Sequence, residues 1–99
     1  MTETADTLSQ TVTIVNRRGL HARAAAKFAR TAAQFQAVIN VIRQDTEVPG
    51  RSLMGLLTLG AGINKDITIT ARGTDARQAL DALADLVNRG FDEDDSDCC

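Results

Sequence analysis

The chain has 99 residues, enough for one domain with a modest core and no separate catalytic lobe. Hydrophobic residues make up 43% and argue for a folded globule, while three Phe with no Trp or Tyr leave little to stack on bases, which speaks against nucleic-acid binding. The net charge of -2 conceals an asymmetry: Asp92, Glu93, Asp94, Asp95 and Asp97 crowd the C-terminus, and the rest carries eight acidic against eleven basic residues.

Residues 1–9 read as a flexible leader. Thr11-Val12-Thr13-Ile14-Val15 alternates polar and apolar and predicts a strand, which Asn16-Arg17-Arg18-Gly19 breaks. From Ala22 to about Ala33 helix formers dominate, with Ala25, Phe28, Ala32 and Phe35 recurring as a thin apolar stripe. Ala37 to Ile42 is β-branched and alternating, with Ala37, Ile39 and Val41 facing inward. A turn at Gln44-Asp45 leads to a short strand near Thr46–Val48, ended by Pro49-Gly50. Ser52 can cap a short helix from Leu53 to Leu59, which Gly60-Ala61-Gly62 stops. Asp66 to Ala71 alternates again, with Ile67, Ile69 and Ala71 inward. Thr74 is a candidate N-cap for a last helix that places Ala76, Leu80, Leu83 and Val87 on one face and ends at Gly90. Residues 92–99 have the composition of a disordered acidic tail. The order β-α-β-β-α-β-α, with one apolar face per strand, predicts an α+β open-faced sandwich: a mainly antiparallel four-stranded sheet with three helices on one face.

Cys98 and Cys99 are adjacent at a polar terminus, cannot staple a core and point to a reducing compartment. No apolar run reaches the length of a signal-peptide core or a membrane span, so the sequence predicts a cytoplasmic protein that does not insert into membranes. One His and two terminal Cys make no metal-ligand set, and no cofactor is expected.

His21 is the only histidine, and it sits in Gly19-Leu20-His21-Ala22-Arg23-Ala24-Ala25, where strand gives way to helix. The N–H groups and partial positive charge of a helix start favour an anion, so a phosphoryl group placed on this imidazole would be stabilised on arrival. The plainer reading is an N-cap without chemistry. No acidic residue lies between Asp6 and Asp45, yet Arg17, Arg18, Arg23, Lys27, Arg30 and Arg43 do, which makes the region of His21 a basic patch for phosphate or an acidic partner. A solvated helix face is the alternative. Leu53, Met54 and Leu57 lie on a helix too short to bury all its apolar residues: they are core, or in part an exposed patch for partners.

Gly19-Leu20-His21-Ala22-Arg23, together with Gly50-Arg51-Ser52-Leu53-Met54-Gly55-Leu56-Leu57-Thr58-Leu59-Gly60, resembles the two signatures of the HPr family, the histidine phosphocarriers of the bacterial phosphoenolpyruvate-dependent phosphotransferase system. The resemblance extends over residues 10–91 in element order and spacing. It implies a sheet ordered 1-4-2-3 and a phosphoryl group passed from Enzyme I to Nδ1 of His21, then to a histidine of an enzyme IIA. Arg23 is implied as the cation that steadies the phosphate, a role its planar fork of donors suits.

Ser52 matches the family's regulatory serine, the target of an HPr kinase/phosphorylase. A plain N-cap is the other role open to it, and the two can coexist. The resemblance places Leu53, Met54 and Leu57 beside Ala22, Ala26 and Arg30 in the docking face, with Arg51 adding to its positive charge. Ala24 stands where most of the family has proline, and the double-cysteine end has no counterpart. Gly90-Phe91-Asp92-Glu93-Asp94 resembles the end of the nitrogen-branch carriers, while the His21-Ala22-Arg23-Ala24 start and the serine segment resemble carriers of alphaproteobacteria. These signs lean toward a regulatory phosphorelay over bulk sugar uptake.

The expected protein is therefore a monomeric covalent carrier rather than an enzyme with a small substrate of its own. One rival is an HPr-like adaptor that acts by protein binding through Leu53, Met54 and Leu57. Another is a small hydrolase with His21 as base, but the motif offers no Ser, Cys or carboxylate partner for it.

Overall fold

The computed structural model describes residues 7–92. Most of the leader and the part of the acidic tail from Glu93 on, with Cys98 and Cys99, lie outside the described residues. The elements are β1 (Leu8–Thr13), α1 (Ala22–Ala33), β2 (Val38–Arg43), β3 (Thr46–Pro49), α2 (Leu53–Thr58), β4 (Asp66–Arg72) and α3 (Ala76–Asn88), closed by a 3-10 turn at Gly90–Asp92. The sheet order is β1-β4-β2-β3, and every pairing is antiparallel.

Alternation decides which side of each strand is covered. Val12, Ile39, Val41, Val48, Ile67, Ile69 and Ala71 are buried under the helices. Thr11, Thr13, Thr68 and Thr70 fall on the other face, where hydroxyls bridge the β1 and β4 strands: Thr11 Oγ1 lies 3.0 Å from Thr68 Oγ1, and Thr13 Oγ1 donates to Asp66 Oδ1 at 2.6 Å. The fold is the expected α+β open-faced sandwich.

β1 starts earlier and ends earlier than the alternation predicts, because its ladder is set by β4. Leu8 and Ser9, assigned to the leader from composition, pair with Ala71 and Thr70. Ile14 stays fully buried beyond the strand end, exchanging backbone bonds with Asn64 and Lys65. In α1 the stripe Ala25, Phe28 and Ala32 is buried together with Ala24, and the three alanines present little bulk to the neighbouring elements while Phe28 fills the core. Pro49 closes β3 on the sheet edge, where a missing N–H is tolerated.

Two features of the C-terminal half depart from the sequence reading. The cap position of α3 is Asp75, not Thr74, and the Asp75 side chain does not cap its own helix. Its carboxylate instead accepts the backbone N–H of Gln36 at 2.9 Å and of Ala37 at 2.8 Å, two donors that precede β2. Charge-assisted bonds to two backbone donors outweigh a single capping contact, so the acid is drawn across the molecule. Phe91 is fully buried in a left-handed conformation (φ 58°), just after Gly90, whose φ of +67° ends the helix.

Candidate functional site

The segment ahead of His21 is clamped before the helix begins. Gly19 donates its N–H to the Asn16 carbonyl at 3.1 Å, and the buried Asn16 side chain returns a bond from Nδ2 to the Gly19 carbonyl at 2.9 Å. Gly19 has φ +69°, and a Cβ there would lie 2.6 Å from the Ala61 carbonyl oxygen, so the position requires glycine on both counts. Leu20, itself buried, donates to that same carbonyl at 2.8 Å. The anchor for the loop is thus the 61–62 backbone.

His21 follows as the N-cap of α1, with extended backbone (φ -83°, ψ -176°). Its carbonyl accepts the Ala25 N–H at 2.7 Å, and its ring Nδ1 accepts the Arg23 N–H at 3.3 Å. A backbone N–H can only donate, so in this geometry Nδ1 carries a lone pair and no proton. That acceptor atom faces the open end of the helix, against the Arg23 N–H. The ring is half-buried, while Ala22 and Arg23 beside it are exposed.

α2 packs alongside α1. Ser52 is its N-cap, with Oγ accepting the Gly55 N–H at 3.0 Å. Leu56 is fully buried, Leu57 is half-buried against the core, and Leu53 and Met54 are exposed, Met54 to 71%. A large methionine so exposed contributes little to the core, so it belongs to a surface patch. On α1, Ala26 is half-buried and Arg30 exposed.

The basic run divides into two groups. Arg17, Arg18, Arg23 and Arg30 are exposed around the helix start and along α1. The other two of the run, Lys27 and Arg43, and Arg51 beyond it are engaged with backbone carbonyls instead. Lys27 Nζ donates to the Phe91 carbonyl at 2.8 Å, Arg43 to Leu59 at 3.1 Å and Arg51 to Phe35 at 2.6 Å. Arg43 sits on β2 and satisfies a carbonyl at the end of α2, so it does not belong to the patch that the sequence groups around His21.

Sequence reasoning missed Asn16, although an Asn three residues before a Gly is a recognisable signal for a side-chain-stabilised turn. Among the described residues no group of acidic, His and Cys side chains could hold a metal ion, and no helix is long and apolar enough to cross a membrane.

Residues 8–89 match the family profile described as the PTS HPr component phosphorylation site. The chain is 45% identical over 86 residues to the phosphocarrier protein NPr of Shewanella violacea, covering 87% of this chain and 94% of that one. It is 43% identical over 86 residues to the phosphocarrier protein HPr of Neisseria meningitidis serogroup A, covering 87% and 97%. Among solved structures, HPr-C-His from Thermoanaerobacter tengcongensis superposes with a TM-score of 0.84 at 37% identity, covering 88% of this chain and 98% of that one. With sheet order, helix placement and sequence in agreement, the chain belongs to the HPr family, the phosphocarriers of the phosphotransferase system.

Proposed function

We propose that His21 is the phosphoryl acceptor and that the transfer takes place at Nδ1. The observation that carries this reading is the 3.3 Å contact from the Arg23 N–H to Nδ1, which points the ring's lone pair into the open end of α1. In the forward step the Nδ1 electron pair forms the new N–P bond. The bond that holds the phosphoryl group on phosphorylated Enzyme I breaks, and its electron pair stays with the donor group. The arriving oxygens then take the Arg23 N–H from the ring and meet the partial positive charge of the helix start. The exposed Arg23 guanidinium supplies a planar fork to the same oxygens. A second transfer, to a histidine of an enzyme IIA, reverses these steps.

Docking falls to the surface around the ring: Ala22, Ala26 and Arg30 of α1 with Leu53, Met54 and Leu57 of α2. A flexible methionine at the centre suits a surface that must fit donor and acceptor in turn. Ser52 is proposed as a regulatory phosphorylation site, for an HPr kinase/phosphorylase where the cell has one. Arg51 is its neighbour, and its charge remains on the docking side although one donor is used by Phe35. The protein acts as a cytoplasmic monomer, in sugar phosphotransfer or in a regulatory relay of the nitrogen-branch kind.

Incubation with phosphoenolpyruvate and Enzyme I should place one acid-labile phosphate on His21, mapped by mass spectrometry of the phosphorylated chain. His21→Ala should fold normally and accept nothing. Phosphate retained by that variant would overturn the assignment.

A further inference from the structure

The C-terminal turn touches both structures that meet at His21. On one side the Phe91 carbonyl accepts a bond from Lys27 Nζ at 2.8 Å, in the middle of α1. On the other, Gly90 lies against the loop that precedes the histidine: a Cβ on it would be 3.5 Å from Asn16 Cβ and 3.8 Å from Val15 Cγ2. Phe91 anchors the turn between these contacts, fully buried at φ 58° directly after Gly90 at φ +67°.

Together these contacts close a circuit. Asn16 and Gly19 are joined by reciprocal bonds at 2.9 and 3.1 Å, and the chain runs on from Gly19 to His21. The His21 carbonyl accepts the Ala25 N–H at 2.7 Å, and just beyond Ala25 on the helix Lys27 returns to Phe91. The imidazole sits inside this circuit. Its own bond from the Arg23 N–H, at 3.3 Å, is longer than the usual range of roughly 2.7–3.2 Å and too weak to orient the ring alone. The aim of Nδ1 therefore depends on how the loop before His21 is set against the start of α1. A single contact between two bodies leaves a hinge, and a second point of attachment removes it. Lys27 lies about one turn beyond Arg23, but its ammonium is turned onto a carbonyl, whereas Arg23 and Arg30 are exposed. A charged donor in a partly buried bond makes that second attachment a strong one.

We propose that Lys27 is a positioning residue for the transfer at His21: by tying the middle of α1 to the Phe91 carbonyl, it holds the C-terminal turn against Asn16 and so sets the direction of the Nδ1 lone pair. The effect on transfer rests on the reading of His21 as the phosphoryl acceptor. The effect on the ring does not, and it is measured separately. Lys27 acts through the loop before His21 and not as a docking cation.

The test replaces Lys27 in the full chain by Met, which keeps the stem and removes the donor, and by Arg, which keeps a donor and the charge. With the ring neutral, the nitrogen NMR shifts of His21 report which ring nitrogen holds the proton. The original chain should show Nδ1 unprotonated, Lys27→Met a mixture of the two tautomers, and Lys27→Arg the original pattern. With phosphorylated Enzyme I, Lys27→Met should lower the rate at saturating donor about tenfold per folded molecule while KM stays nearly the same, and Lys27→Arg should restore the rate. Ring shifts in Lys27→Met identical to those of the original chain would overturn the proposal. So would a raised KM with the saturated rate intact, which would make Lys27 a docking cation. Asn16→Ala opens the same circuit at another point, so adding it to Lys27→Met should change the ring shifts little further. Additive changes would show two independent contacts and overturn the circuit; if Asn16→Ala does not fold, the two Lys27 variants decide. If the original chain accepts no phosphate, the phosphocarrier reading fails, while the ring shifts still decide the positioning role.

Discussion

Asp75 accepts the backbone N–H of Ala37 at 2.8 Å, joining the start of α3 to the entry of β2 across 38 residues of sequence. With the second bond from Gln36, one carboxylate satisfies two donors that no strand ladder reaches. Asp75→Ala should cost about 2 kcal/mol, since it strands a partly buried donor and removes a charged acceptor. For a domain of this size that is a fall in Tm of roughly 10 °C. Asp75→Asn, which keeps one acceptor oxygen, should fall between the two. Thermal unfolding of the three proteins checks the order, and an unchanged Tm in the alanine variant would contradict it.

Gly19→Ala should lose both stability and transfer. Its φ of +69° disfavours any Cβ, and the 2.6 Å approach to the Ala61 carbonyl oxygen requires the backbone to move. The loop that sets His21 must shift with it. A stability loss of about 2 kcal/mol or more is expected, together with a slower phosphorylation rate per folded molecule. A normal rate per folded molecule would show that the ring is positioned by α1 alone.

Met54→Glu separates surface from core. At 71% exposure the substitution should leave Tm nearly unchanged, within about 0.5 kcal/mol of stability. Transfer from Enzyme I should slow by about tenfold if the side chain meets the partner. Leu56→Ala, two positions on and fully buried, should do the reverse, losing about 2–4 kcal/mol with little effect on transfer by the folded fraction.

Ser52→Ala removes the bond to the Gly55 N–H and should cost about 1 kcal/mol. Ser52→Asp keeps an acceptor at the same position, so its stability should stay close to that of the original chain. It adds a negative charge to the proposed docking side, and the rate of His21 phosphorylation should fall, with the electrostatic part of the loss shrinking as salt rises. Melting temperature and transfer rate measured on the same sample distinguish a switch from a cap. Early melting with normal transfer would leave Ser52 a purely structural residue.

What the sequence made legible follows from which forces are local. α1 was expected from Ala22 to about Ala33 and occupies those positions, because its start is marked by glycine and a capping side chain and its body by helix formers. The inward sets Ala37, Ile39, Val41 and Ile67, Ile69, Ala71 follow from alternation alone. Contacts that depend on distant backbone were not legible. Thr74 has the chemistry of a cap, but Asp75 and its use by Gln36 and Ala37 depend on where β2 enters. Phe91 has no periodic neighbours to mark it as core. Lys27 and Arg43 read as members of one charge patch, yet their partners are carbonyls 64 and 16 residues away. Of the residues at the proposed site, His21 and Arg23 stand out in the sequence by their motif, whereas Asn16, which holds the loop before them, does not.

The clamp on that loop does not use two of its side chains. Leu20 hangs on the Ala61 carbonyl, Gly19 and Asn16 bind each other, and neither the Arg17 nor the Arg18 side chain takes part. Positioning of the histidine and the charge displayed next to it are therefore written in separate residues. A chain built this way can change the charge displayed at positions 17 and 18 while the proposed acceptor nitrogen of His21 stays where it is.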